Sequence, residues 1–122
     1  MESTTLASLR EQRRDACLER LRQGVRAVLD AMAPGQREGH QVWLFGSWAR
    51  GDWDAYSDVD LLAVAPDQAA AEALADALQQ AALADDVIAL SQERWKQRQC
   101  GADPWWRGIC RDAIPLAVGS PG

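Results

Sequence analysis

Between Val42 and Val64 the chain reads VWLFGSWARGDWDAYSDVDLLAV, an order of residues that few folds accept. Val42, Trp43, Leu44 and Phe45 form a short run apolar at every position, as in a central strand covered on both faces. Gly46-Ser47 breaks the run, and a polar segment follows. From about Asp58 a second strand is predicted, with aspartates at 58 and 60 and an apolar stretch to Val64, ended by Pro66. Strands of this kind must lie beneath helices, which the rest of the chain has to supply.

Ahead of this stretch, Leu6, Leu9, Cys17, Leu21, Val25, Val28 and Met32 recur at three- and four-residue intervals, apart from a polar gap around Arg13. The pattern predicts a long amphipathic helix with a core-packed stripe and a solvated, charged outer face. Ser3, Thr4, Thr5 and Ser8 all offer N-caps, with Ser8 and Glu11 at capping-box spacing, and Pro34-Gly35 stops the helix. After the second strand, Asp67 to Leu83 is rich in Ala, Leu and Gln and predicts a connecting helix with Leu74, Leu78 and Leu83 buried. Asp85 to Leu90 reads as a third strand and Glu93 to Gln99 as a helix broken by Gly101. Asp103-Pro104, an N-cap followed by proline at the first helical position, opens a last helix from Trp105 to about Ala113. Adjacent tryptophans on a helix cannot face the same way, so of Trp105 and Trp106 one belongs in the core and one outside. Helix, strand, strand, helix, strand, helix, helix predicts an α/β fold with one small mixed sheet. The length, 122 residues, is that of one ordinary domain, expected to span 1–122.

Several classes of function are disfavoured by what the sequence contains. Cys17, Cys100 and Cys110 are an odd number without C-x-x-C spacing, and His40 is the sole histidine. A disulfide framework and a Cys/His zinc site are therefore not expected, and His40 is read as structural. The amino terminus lacks the layout of a secretory signal and no run is long enough to cross a membrane, so a cytoplasmic location is expected. Net charge is -5, and after residue 30 seven Lys or Arg face thirteen Asp or Glu. A nucleic-acid substrate would call for a basic stripe, which is absent.

Counted from Ser47, ten residues precede Asp58, and Asp60 follows two later: G-S-x10-D-x-D, with Ala49-Arg50-Gly51 inside it. This resembles the signature of the DNA polymerase beta-like nucleotidyltransferases, most closely their small stand-alone branch, the minimal nucleotidyltransferases of antitoxin type. The resemblance implies the family's fold, a small mixed sheet flanked by helices. It implies transfer of a nucleotidyl group, AMP from ATP being the leading case, to an acceptor hydroxyl. It also implies a third carboxylate on a neighbouring strand, which Asp86 ahead of Val87-Ile88-Ala89-Leu90 matches best; a register change of one residue would put Asp85 there instead. Minimal members are typically encoded beside a small helical HEPN protein, and some are antitoxins that adenylylate this partner and block its ribonuclease activity. A HEPN-type partner is thus the leading expectation. Two rivals are a catalytically silent module that neutralises a partner by contact, and a small-molecule transferase of the aminoglycoside type. Larger relatives carry a further acceptor domain, and none is expected within these residues.

The residue types suit that chemistry on their own terms. Gly46 lets backbone approach a phosphate, Ser47 can donate its hydroxyl and N–H to a phosphate oxygen, and Arg50 either steadies the turn or reaches a phosphate. Two positions apart on a strand, Asp58 and Asp60 project from one face with backbones ~6.6 Å apart. Carboxylates that close repel when empty and imply a cation; two ions ~3.5 to 4 Å apart serve phosphoryl chemistry. Oxygen donors suit magnesium or manganese, held by Asp58, Asp60 and, by the resemblance, Asp86. Trp48, Trp53 and Tyr56 either stack on a base or pack the loop.

Overall fold

The computed structural model describes residues 5–32, 38–54 and 57–118. A four-stranded sheet in the order β3-β2-β1-β4 is formed by β1 (Gln41–Phe45), β2 (Asp60–Ala65), β3 (Asp86–Ser91) and β4 (Ile114–Val118). It is mixed: β2 runs antiparallel to β1 and parallel to β3, and β4 runs antiparallel to β1. The expected α/β fold is borne out.

Alternation along the strands divides the core. Val42, Leu44, Leu61 and Ala63 face α1 (Leu6–Asp30) and α3 (Gln68–Gln80), meeting Leu21, Val25, Leu74 and Leu78. Phe45, Leu62, Val64 and Leu90 face the other way, against Trp95 of α4 (Gln92–Cys100) and Trp106 and Ile109 of α5 (Pro104–Asp112). The centre of β2 is therefore covered on both sides, and Leu61 through Ala65 are fully buried.

The helix starts follow their caps. Asp67 accepts from the N–H of Ala70, Ser91 from that of Arg94, and Asp103 from that of Trp105 ahead of Pro104. At α1 the structure selects Thr5, whose hydroxyl accepts from the N–H of Ser8, so the Ser8–Glu11 box lies inside the helix rather than opening it. Leu6 and Leu9, expected on the buried stripe, are exposed, because the described core begins at Cys17. Pro34-Gly35 lies outside the described residues.

Two elements stand outside the predicted order of helices and strands. The polar segment after Gly46 contains a one-turn helix, α2 (Ser47–Arg50), ended by Gly51 in the left-handed region, φ 94°. Past α5, β4 lines the edge of the sheet. Its Pro115 has no N–H to give, and the ladder with β1 shifts register between Val42 and Trp43, where Pro115 pairs. At the opposite edge the side-chain amide of Gln68 donates to the carbonyl of Ala89 and accepts from the N–H of Ser91, occupying backbone groups that an edge leaves open.

Candidate functional site

The site begins where β1 ends. Gly46 has φ 79° and ψ -156°, a conformation that side chains oppose. A Cβ built there would stand 2.5 Å from Oδ2 of Asp60. Glycine is thus required twice, for the bend and for the approach of the carboxylate. Ser47 follows as the first residue of α2, in which the N–H groups of Ala49 and Arg50 donate to the carbonyl of Gly46 at 3.1 and 3.0 Å. Arg50, at its end, pairs with Asp52 at 3.2 Å, both side chains largely exposed. Such a pair holds by roughly 0–1 kcal/mol, so the guanidinium is easily released to another anion.

The carboxylates come together by register. Asp60 is the first residue of β2 and Asp86 the first of β3, and they are direct partners in the parallel ladder. Neighbouring strands lie ~4.8 Å apart, and residues in register point to the same face. That face is the one of Leu62 and Val64, toward α4 and α5. On the other side of Asp60 the ladder partner is Phe45, next to Gly46. Asp86, Asp60 and the glycine bend thus stand in a row across three strand ends.

Asp58 was expected inside the strand; the ladder begins at Asp60, and Asp58 sits exposed in the segment leading to it. Its position relative to Asp60 is therefore governed by this lead-in segment and not by the pleat. Asp85 differs from Asp86. Its Oδ2 accepts the N–H of Val59 at 2.7 Å, and its own N–H donates to the carbonyl of Val59. The Asp85 carboxylate is engaged in fastening β3 to the segment that carries Asp58.

Burial pushes the carboxyl of Asp60 above the usual range, with the charges of Asp86, Asp58 and Asp85 adding to the shift and Arg50 opposing it. The donors are all carboxylate oxygens, as a hard divalent cation prefers. Among the described residues no group of three His, Cys, Asp or Glu side chains is placed to hold a metal ion. Ligands from a substrate would have to complete any coordination shell.

The turn is braced by α1. Arg14 donates from Nε to the carbonyl of Trp48 at 3.0 Å and from Nη2 to that of Ala49 at 2.9 Å, while Arg10 donates to that of Trp53 at 2.7 Å. The Arg10 guanidinium also lies 4.3 Å from the Trp53 ring centre. Trp53 is buried and stacks flat on Trp48, centroids 4.3 Å apart. These two rings pack the loop against each other, Trp53 buried and Trp48 half-buried; Tyr56 lies outside the described residues.

The profile of a known family, described as a nucleotidyltransferase domain, matches residues 25–100, more than half of the chain, and takes in the bend, both strands of aspartates and the connecting helix. The chain belongs to the nucleotidyltransferase domain family. No curated protein and no solved structure matches it. As a member, it is a transferase whose substrate is a nucleotide.

In this nucleotidyltransferase, Arg10 and Arg14 are the site's supporting residues that sequence reasoning missed, because charges on the outer face of a long helix read as solvated. Their spacing, four residues apart on one face, was the available signal. His40 is buried at the far end of β1, its Nδ1 3.2 Å from the carbonyl of Glu38, away from the aspartates. Cys17, Cys100 and Cys110 are free thiols. No described helix is long and apolar enough to cross a membrane.

Proposed function

We propose that this domain transfers AMP from ATP to an acceptor hydroxyl with magnesium or manganese, and that the acceptor belongs to a HEPN-type protein whose ribonuclease activity the modification silences. The observation that carries the chemical part is the ladder pairing of Asp60 with Asp86 directly beside the Gly46 bend. Asp58, Asp60 and Asp86 would hold the metal ions, which, when bound, neutralise charge on the triphosphate and at the attacked phosphorus. The protein's own part is to position and to accept a proton. Backbone at Gly46 and Ser47, with the Arg50 guanidinium, grips the phosphates. Asp86, on the outer strand of the row, faces the acceptor. As the acceptor oxygen forms its bond to the α-phosphorus, the bond to the β-phosphate oxygen breaks, pyrophosphate leaves with the electron pair, and the acceptor proton passes to the Asp86 carboxylate.

Incubation with labelled ATP, magnesium and a co-expressed HEPN-type partner should label that partner. Transfer should vanish with Asp58→Ala. A partner that stays unlabelled with every divalent ion, yet is neutralised equally by wild type and Asp58→Ala, would instead make this chain a contact inhibitor. Turnover with a small hydroxyl compound alone would place it with the small-molecule transferases.

A further inference from the structure

A cleft of about 230 Å³ opens beside Gly46 and Arg50, with α5 as its other wall. Its place in the row of strand ends is informative. Asp86 on β3 and Asp60 on β2 come first, then Phe45 and Gly46 at the end of β1, then Ile114 on β4, which pairs with Leu44. The cleft occupies the β1/β4 side, away from Asp86, and α5 packs on the same sheet face toward which Asp60 and Asp86 point. A molecule whose phosphates lie at the Gly46 bend would have its remaining part in this cleft.

The lining has an apolar floor, a flat wall and a polar end. Ile109 is buried beneath it. Trp105 is 57% exposed and meets Trp106 at 81°, centroids 4.9 Å apart, so much of its ring is open to solvent. Trp105 is the aromatic ring in the lining of this cleft. Gly108 stands in the middle of α5, where glycine weakens a helix, yet a Cβ there would touch nothing within 4 Å. No neighbour demands glycine at 108; what its missing side chain preserves is the open space of the cleft. Asp112 and Arg111, paired with each other through both carboxylate oxygens at 3.2 and 3.1 Å, add a polar edge to the lining.

We propose that the cleft takes the nucleoside end of the triphosphate, the base lying on Trp105 and the phosphates running out past Arg50 to Gly46. This rests on the reading of Gly46 and the aspartates as a nucleotidyl-transfer site. It adds a part of the molecule that the family match does not reach, since that match stops at residue 100 and α5 begins at Pro104.

Binding calorimetry with two probes, each with magnesium, separates the possibilities: a non-hydrolysable ATP analogue and inorganic tripolyphosphate. Trp105→Ala should weaken the analogue about tenfold and leave tripolyphosphate unchanged, because base stacking is lost and the phosphate turn is not. Trp105→Phe should restore most of the affinity, and Gly108→Leu, which fills the cleft, should reproduce the selective loss. Wild-type affinity for the analogue in both folded variants, Trp105→Ala and Gly108→Leu, would overturn the proposal while leaving the phosphate site standing. Equal loss of both probes would also overturn it, since Trp105 would then be supporting the turn. If wild type binds neither probe, the nucleotidyl-transfer reading falls, and the cleft's assignment falls with it.

Discussion

At Gly46 one hydrogen atom in place of a methyl group decides whether the site exists. The bend needs a φ of 79°, and the Asp60 carboxylate fills the space a side chain would take. Gly46→Ala should cost about 1–3 kcal/mol in urea unfolding from backbone strain and should abolish transfer by displacing Asp60. Asp60 makes the second residue-level prediction, and the sign follows from its raised carboxyl. Between the unfolded value of 3.8 and the raised folded value, the native state holds more protons than the unfolded one. Its stabilising contribution is complete below 3.8 and is lost as pH rises through the folded value. Asp60→Asn should remove that decline and leave the metal-free protein as stable as wild type or more so at neutral pH. The same variant should lose any stabilisation by magnesium with ATP. Thermal melts from pH 3 to 8, with and without those ligands, check both halves. The G-S-x10-D-x-D pattern made these residues readable because each lies within one short stretch of chain. Arg10 and Arg14 were not readable, since their acceptors are backbone carbonyls more than thirty positions away.

Among the elements, α1 does more than cover the sheet. Its first turns reach over α2 and donate to four carbonyls of the loop, those of Trp48, Ala49, Gly51 and Trp53. Removing one guanidinium that makes two such bonds leaves part-buried carbonyls without a donor. Arg14→Ala should therefore lower unfolding free energy by about 1–3 kcal/mol. It should also raise the KM for ATP more than it lowers kcat, because the turn carrying Arg50 is loosened while Asp60 and Asp86 stay in their ladder. A fall in kcat alone would argue against this division of roles. Elements with a strong local signal were legible: the Asp103-Pro104 helix opening, the all-apolar strands, and the helix α3. β4 was not, since five residues with an internal proline carry no strand pattern of their own. They become a strand because the exposed edge of β1 offers them hydrogen bonds and Leu116 can enter the core.

For the whole molecule, the site depends on four segments meeting at one end of the sheet: α1, the Gly46 bend, the start of β2 and the start of β3. A ligand that bridges them should stabilise the entire fold. Magnesium with ATP at a hundredfold excess over Kd should add about 2.7 kcal/mol, read as an upward shift in Tm that neither component gives in full alone. A melting temperature indifferent to both would remove the metal-dependent reading. The acidic balance belongs to this scale too: with -5 overall and aspartates crowded at the strand ends, the local field disfavours anions.

The order of elements, the α/β class, the Gly46 bend and the spacing of its aspartates were written in local sequence, because glycine conformation, capping and apolar runs act over a few residues. Which carboxylate joins Asp60 was decided only by tertiary structure. Asp85 and Asp86 are adjacent and chemically identical, and the parallel ladder sets Asp86 beside Asp60 while Asp85 turns to the backbone of Val59. The same holds for Asp58, left outside the strand, for the arginines of α1 that reach the turn, and for the cleft under Trp105. Each depends on pairing between distant segments, and strand register, helix docking and the space left between them are properties of the assembled core.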